Sequence, residues 1–121
     1  MIYHITPRSE WVAAQAAGSY RSASLGSEGF IHCSTPIQVP AVAKAFYRGQ
    51  VGLVLLAIDE SLVRSDLRWE APAGHPAEGI SPEDLFPHIY GPINLDAVLR
   101  IHVLELDTNE VQITPQLPKE N

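Results

Sequence analysis

Two short segments of this chain share one grammar. His4-Ile5-Thr6-Pro7 and His32-Cys33-Ser34-Thr35-Pro36 each place an imidazole, a hydroxyl two residues later, and then a proline. Residues two apart on a strand point the same way. His4 with Thr6, and His32 with Ser34, would then each present a ring nitrogen and a hydroxyl on one face. A hydroxyl residue followed by proline is also a helix-start signal. Each pair is therefore expected beside a helix N-terminus, whose N–H groups and dipole favour an anion or a carbonyl oxygen. If the two strands are neighbours, the units form one pocket with convergent donors. The plainer reading is that a strand histidine is structural and that Thr-Pro or Ser-Thr-Pro is simply good capping.

Three further groups are candidates for the same pocket. Arg68 and Glu70 share a strand face ahead of a proline-rich stretch, and such an acid can orient a sugar hydroxyl or stabilise developing positive charge. The alternative is a surface Arg–Glu pair worth under about 1 kcal/mol. His88 and Tyr90, within Phe86-Pro87-His88-Ile89-Tyr90-Gly91-Pro92, alternate to a common face, and Tyr90 could stack on a planar ring. The alternative there is a rigid turn set by Pro87, Gly91 and Pro92. Cys33 points away from His32 and reads as a small buried hydrophobe. His75 and His102 are assigned to no site. No H-x-H, H-x₃-H or CxxC spacing recommends a metal, and no GxGxxG, Walker A or GxSxG motif is present.

The elements that must position these groups follow from periodicity and turn signals. Residues 1–6 alternate as a strand, and a helix then runs from Pro7 through Trp11 to Gly18. The Gly/Ser-rich span 19–29 reads as a loop long enough to carry function. Residues 30–34 form a second strand, followed by a helix to about Tyr47 whose first turn is irregular at Pro40. Leu-Val-Leu-Leu-Ala-Ile-Asp at 53–59 is a strand covered on both faces. Residues 67–70 make another strand, 71–85 an irregular loop, 87–91 an extended piece, 94–97 a helical turn and 98–106 the last strand. The stretch from 107 to 121 reads as a loosely held tail. The whole describes an α+β fold, with one domain over 1–106.

Composition narrows the partners. The 121 residues are 45% hydrophobic and 18% charged, which is ordinary for a globular chain. Eight Lys and Arg against fourteen Asp and Glu give a net charge of −6. That balance cannot drive general nucleic-acid binding, but it leaves room for a local site for a small anion. A single cysteine rules out an internal disulfide and fits a reducing compartment. The opening Met-Ile-Tyr-His has neither the basic nor the apolar segment of a signal peptide, and no apolar run is long enough for a bilayer. A cytoplasmic protein without membrane contact is the expectation.

Taken together, several segments resemble a known family. Tyr3-His4-Ile5-Thr6, Glu28-Gly29-Phe30-Ile31-His32-Cys33-Ser34-Thr35, Phe46-Tyr47, Leu53-Val54-Leu55-Leu56, Arg68-Trp69-Glu70 and Phe86-Pro87-His88-Ile89-Tyr90-Gly91-Pro92-Ile93-Asn94 are similar to the bacterial family of domains of unknown function numbered 952. The likeness runs from Met1 to about Leu106. At fold level that family resembles the ADP-ribosyltransferase superfamily, which includes the RNA 2′-phosphotransferases. The resemblance implies an ADP-ribosylation-like split, mixed β core, with two main helices following the first two strands and a cleft for NAD.

By the same resemblance, His4 and Thr6 would hold ribose and pyrophosphate, and His32 and Ser34 would flank the nicotinamide. Glu70 would stabilise charge at the anomeric carbon, although its strand comes earlier than the usual acidic position. Arg21 and Arg68 are the candidates for a phosphate. The function this implies is group transfer at the nicotinamide ribose, as an NAD-dependent ADP-ribosyltransferase-like or phosphotransferase-like enzyme. The alternatives are a non-catalytic module for a small anionic metabolite or nucleotide, and a metal-dependent hydrolase using the histidines.

Overall fold

A computed structural model describes residues 1–72, 78–107 and 110–115. Among the described residues are nine strands and three α-helices, the helices all in the first half of the order. β1 (Ile2–Pro7) leads into α1 (Arg8–Ala17), then β2 (Ser19–Tyr20), α2 (Ala23–Glu28) and β3 (Ile31–His32). α3 (Val39–Phe46) follows, then β4 (Leu53–Ile58), β5 (Asp66–Glu70), β6 (Phe86–Tyr90) and β7 (Ile93–Asn94). β8 (Val98–Leu106) and β9 (Val111–Pro115) close the order. The fold is α+β. Among the described residues no helix is long and apolar enough to cross a membrane.

β4 is the spine. All six of its residues are buried, and it sits between β1 and β8 in a four-stranded sheet ordered β1-β4-β8-β9. Alternation sends Val54, Leu56 and Ile58 to one core, with Ile2 of β1 and with Trp11 and Ala14 of α1. Leu53 and Leu55 face a second core with Ile5 and with Val39 and Ala43 of α3. The helical residues of each pair lie three or four apart, so each helix lays one stripe on its side of the sheet. A fully buried Leu or Ile at such positions contributes about 1.5–3 kcal/mol.

A second sheet, ordered β3-β6-β5, meets the first at a single bridge. The Tyr3 and Ser34 backbones exchange two hydrogen bonds of 2.8 Å. Beyond that bridge β1 and β3 share no further ladder among the described residues, and the sheet splits there. β2 and β7 pair separately, with Tyr20 opposite Ile93.

Three readings of the sequence need correction. Every ladder among the described residues is antiparallel, where the family resemblance implied a mixed core. The span read as a loop at 19–29 contains β2 and α2, the helix ended by Gly29 at φ +89°. Residues 111–115, read as part of a loose tail, form β9 against β8, with Val111 packed under α3's core. A two-residue strand and an edge strand are specified by distant partners, so local pattern carries little of them. Residues 73–77, with His75, 108–109 and 116–121 lie outside the described residues.

Candidate functional site

The split between β1 and β3 opens a cleft of about 450 Å³, a size ordinary for small-molecule sites. β1, β3 and β6 supply its polar wall: His4, Thr6, His32, Ser34 and His88 all line it. The two echoing units thus border one cavity, but not by sharing a sheet face. Directly opposed residues of an antiparallel pair share a face, and Ser34 stands opposite Tyr3 rather than His4. It is the loss of pairing past Tyr3 that lets His4 reach into the gap.

His4 is held there at both nitrogens. Its Nδ1–H donates to the His32 carbonyl at 2.5 Å, and its Nε2 lies 2.7 Å from the Tyr20 hydroxyl. Burial pushes the imidazole down from 6.5 to about 4, so it is neutral at physiological pH. Tyr20 also lies 2.9 Å from Thr6 Oγ1, which is 3.0 Å from Glu10 Oε2. Thr6 does not cap α1. Pro7 takes the cap position, and the Arg8 N–H is bonded to the Gly52 carbonyl. Glu10 already brings a carboxylate to the first turn. The start of α1 is therefore not the open anion site that the Thr-Pro signal suggests.

On the opposite wall stands a carboxylate–histidine pair. His88, opposite both His32 and Arg68 in the ladders, donates Nδ1–H to Glu70 Oε1 at 2.9 Å. Tyr90 donates to the same oxygen at 2.5 Å. The Tyr90 hydroxyl first, and His88 second, hold Glu70 below the usual carboxylate range. Phe30 stacks on the His88 ring at 4.2 Å. With Nδ1 engaged, His88 Nε2 is left as the acceptor, and it has no protein partner among the described residues. The Ser34 hydroxyl likewise makes no hydrogen bond among them.

Four predicted residues, Glu70, Tyr90, Arg68 and Arg21, lie outside the cleft wall. Glu70 and Tyr90 do not line it and act on it through His88. The Arg68 guanidinium lies 4.7 Å from the Tyr90 ring centre and pairs with Asp66 at 2.8 Å. Arg21 is exposed and off the wall. His32 Nε2 is bound to Glu28 Oε2 at 2.9 Å at the cleft mouth. Among the described residues no Lys or Arg lines the cleft, whereas Glu10 and Glu28 both do. Among the described residues no cluster of three His, Cys, Asp or Glu is placed to hold a metal.

Sequence reading missed Glu10, Tyr20 and Glu28. Glu10 had a signal, four residues after Thr6 in the first helical turn. Tyr20 had none, because only the β2–β7 pairing brings it to His4.

Residues 5–101 match the family described as Protein of unknown function (DUF952). The chain belongs to this family. Within the DUF952 span fall His32, Ser34, Glu70, His88 and Tyr90; His4 stands just ahead of it and β9 beyond it. The crystal structure of protein CC0527 from Caulobacter crescentus is similar, with 39% identity and a TM-score of 0.76 over 95% of this chain and 92% of that one. The solution structure of CC0527 gives 40% identity and a TM-score of 0.70 over 91% and 89%. No curated protein matches the chain.

Proposed function

We propose that this DUF952 chain binds a small polar ligand that is neutral or cationic, and performs group transfer on it with His88 as general base. The observation that carries this is the Glu70–His88 pair, with Nδ1 fixed by the carboxylate and Nε2 unpartnered at the cleft. A carboxylate on Nδ1 sets the tautomer and stabilises the imidazolium that forms when Nε2 takes a proton. Glu70 is then a positioning residue.

The NAD reading from family resemblance narrows accordingly. The described residues lining the cleft include two carboxylates and no Lys or Arg, so they do not neutralise a pyrophosphate, which weighs against the phosphotransferase form. They suit a ribosyl-nicotinamide unit better. The pyridinium would find Glu10 and Glu28 and aromatic faces such as Tyr3 and Phe86 on the wall. In the step this implies, His88 Nε2 removes the proton of an attacking hydroxyl or water. A C–O bond forms at the anomeric carbon while the C–N bond breaks, its electron pair leaving with neutral nicotinamide. Ser34 Oγ is free to hold a ribose hydroxyl. An ADP-ribosylation-like ancestry of the split sheet is part of this proposal.

Thermal-shift titration with nicotinamide riboside and with NAD tests it. The riboside is expected to stabilise the protein more than NAD does, by mass action on the native state. His88→Ala should keep part of that stabilisation and release no nicotinamide. Stronger stabilisation by NAD overturns the charge argument. Stabilisation without turnover in wild type moves the non-catalytic binding module into first place.

A further inference from the structure

Four side chains form an unbroken hydrogen-bonded line from the surface of α1 to the buried end of the cleft. Glu10 Oε2, Thr6 Oγ1, Tyr20 Oη and His4 Nε2 are separated by 3.0, 2.9 and 2.7 Å in turn. Glu10 is exposed, Thr6 and Tyr20 are wholly buried, and His4 is buried. His4 Nδ1–H is committed to the His32 carbonyl, which can only accept.

Counting protons exposes the property of this line. Three contacts need three protons. A neutral His4 and an ionised Glu10 leave only the two hydroxyl protons of Thr6 and Tyr20 to fill them. A third proton completes the chain, and there are two places to hold it. On His4, the bonds run Nε2–H to Tyr20, Tyr20 to Thr6 and Thr6 to Glu10. On Glu10, every bond reverses, and Tyr20 donates to Nε2.

We infer that these four groups are a proton relay between solvent at Glu10 and His4 in the cleft, separate from the Glu70–His88 pair. Each passage moves one proton by three short hops. The Glu10 proton goes to Thr6 oxygen, the Thr6 proton to Tyr20 oxygen, and the Tyr20 proton to His4 Nε2. A carboxylic acid and an imidazole become a carboxylate and an imidazolium, and no atom travels further than a bond length. The buried setting makes the imidazolium a transient carrier rather than a resting state. Other titratable groups packed around the line are Tyr47 after α3, Cys33 after β3, and the His32–Glu28 pair. None of them bonds to the line except the His32 backbone carbonyl.

The test reads the ¹⁵N shift of His4 Nε2 by NMR in the whole chain, from neutral pH down to the acid limit of folding. In wild type the shift is expected to show two changes, a hydrogen-bond change as the third proton enters the line and Tyr20 turns its own toward Nε2, and the larger change of imidazolium formation near pH 4. Glu10→Gln places a permanent N–H donor at the far end, so the hydrogen-bond change should already be present at neutral pH. Thr6→Val keeps the line's ends but cuts it between them, and should show the imidazolium change alone. Tyr20→Phe cuts it at the next bond and serves if the Thr6 variant does not fold. A wild-type profile with the imidazolium change alone overturns the relay. So does a hydrogen-bond change that survives in Thr6→Val, because it would show Glu10 acting through space.

Discussion

Nδ1 of His88 and Oε1 of Glu70 lie 2.9 Å apart across the β5–β6 ladder, the imidazole 4% exposed and the carboxylate 38%. A buried ring is thus oriented by a group that itself stands in water. The arrangement separates the residue that faces the cleft from the one that fixes its tautomer.

Replacing Glu70 with Gln should therefore leave the cleft and ligand stabilisation nearly intact while lowering turnover roughly 10²- to 10⁴-fold, the usual range for a misfired acid–base group. KM should change little. The same variant has a stability signature. Glu70 is held below its ordinary range when folded, so it favours the native state above the unfolded pKa and loses that contribution as pH falls through the depressed value. Urea titrations at falling pH are expected to show a shallower acid limb in Glu70→Gln than in wild type. Full turnover in the variant would remove Glu70 from the site.

His4 works with the opposite charge and the same sign of pH dependence. Its imidazole falls from 6.5 to about 4 on folding, so below pH 6.5 the unfolded chain takes up a proton that the folded chain refuses. The native state should lose about 3 kcal/mol between neutral pH and pH 4 on this account alone. Comparing unfolding free energies of wild type and His4→Gln at the two pH values isolates it. An equal slope in both would mean that His4 charges in the native protein.

Gly91 predicts a backbone effect. Its φ is +156°, and a Cβ built there would stand 2.5 Å from Ser65 Oγ and 2.9 Å from Ser65 Cβ. Ser65 cannot simply swing away, since its hydroxyl donates to the Pro92 carbonyl at 2.6 Å. Gly91→Ala combines strain with a clash next to Tyr90 and should cost roughly 2–4 kcal/mol. A calorimetric Tm within a degree of wild type would contradict it.

Cys33 is expected to be inert. It is 3% exposed in the first core, and burial pushes its thiol well above the ordinary range. Iodoacetamide should modify it only after denaturation. Rapid alkylation of the native protein would show that the bridge between Tyr3 and Ser34 opens readily.

Much of this was legible in the residues. Alternation located β1 and β5, a continuous apolar run located β4, and the Thr6-Pro7 start and Gly18 stop located α1, because those signals are local to each element. The His4 and His32 echo falls on β1 and β3, and both strands border the cleft. Chain pattern could not say that the echo lies on opposite sheet faces, since a face is decided by register, and register here is set by Tyr3 pairing with Ser34. Nor could it find Tyr20, whose two-residue strand exists only through Ile93 and Asn94, or β9, an edge strand that takes its order from β8.

The sequence by itself determined which groups are available: three cleft histidines, their hydroxyl neighbours, Glu70, and a net charge of −6. The tertiary structure decided their partners. The β5–β6 ladder pairs His88 with Glu70 behind the wall, the β2–β7 pairing brings in Tyr20 to join His4 through Thr6 to Glu10, and Arg68 is held out on Asp66 and Tyr90. The physical reason is that side-chain chemistry is a property of each residue, whereas hydrogen bonds, desolvation and field belong to contacts between residues far apart in the chain.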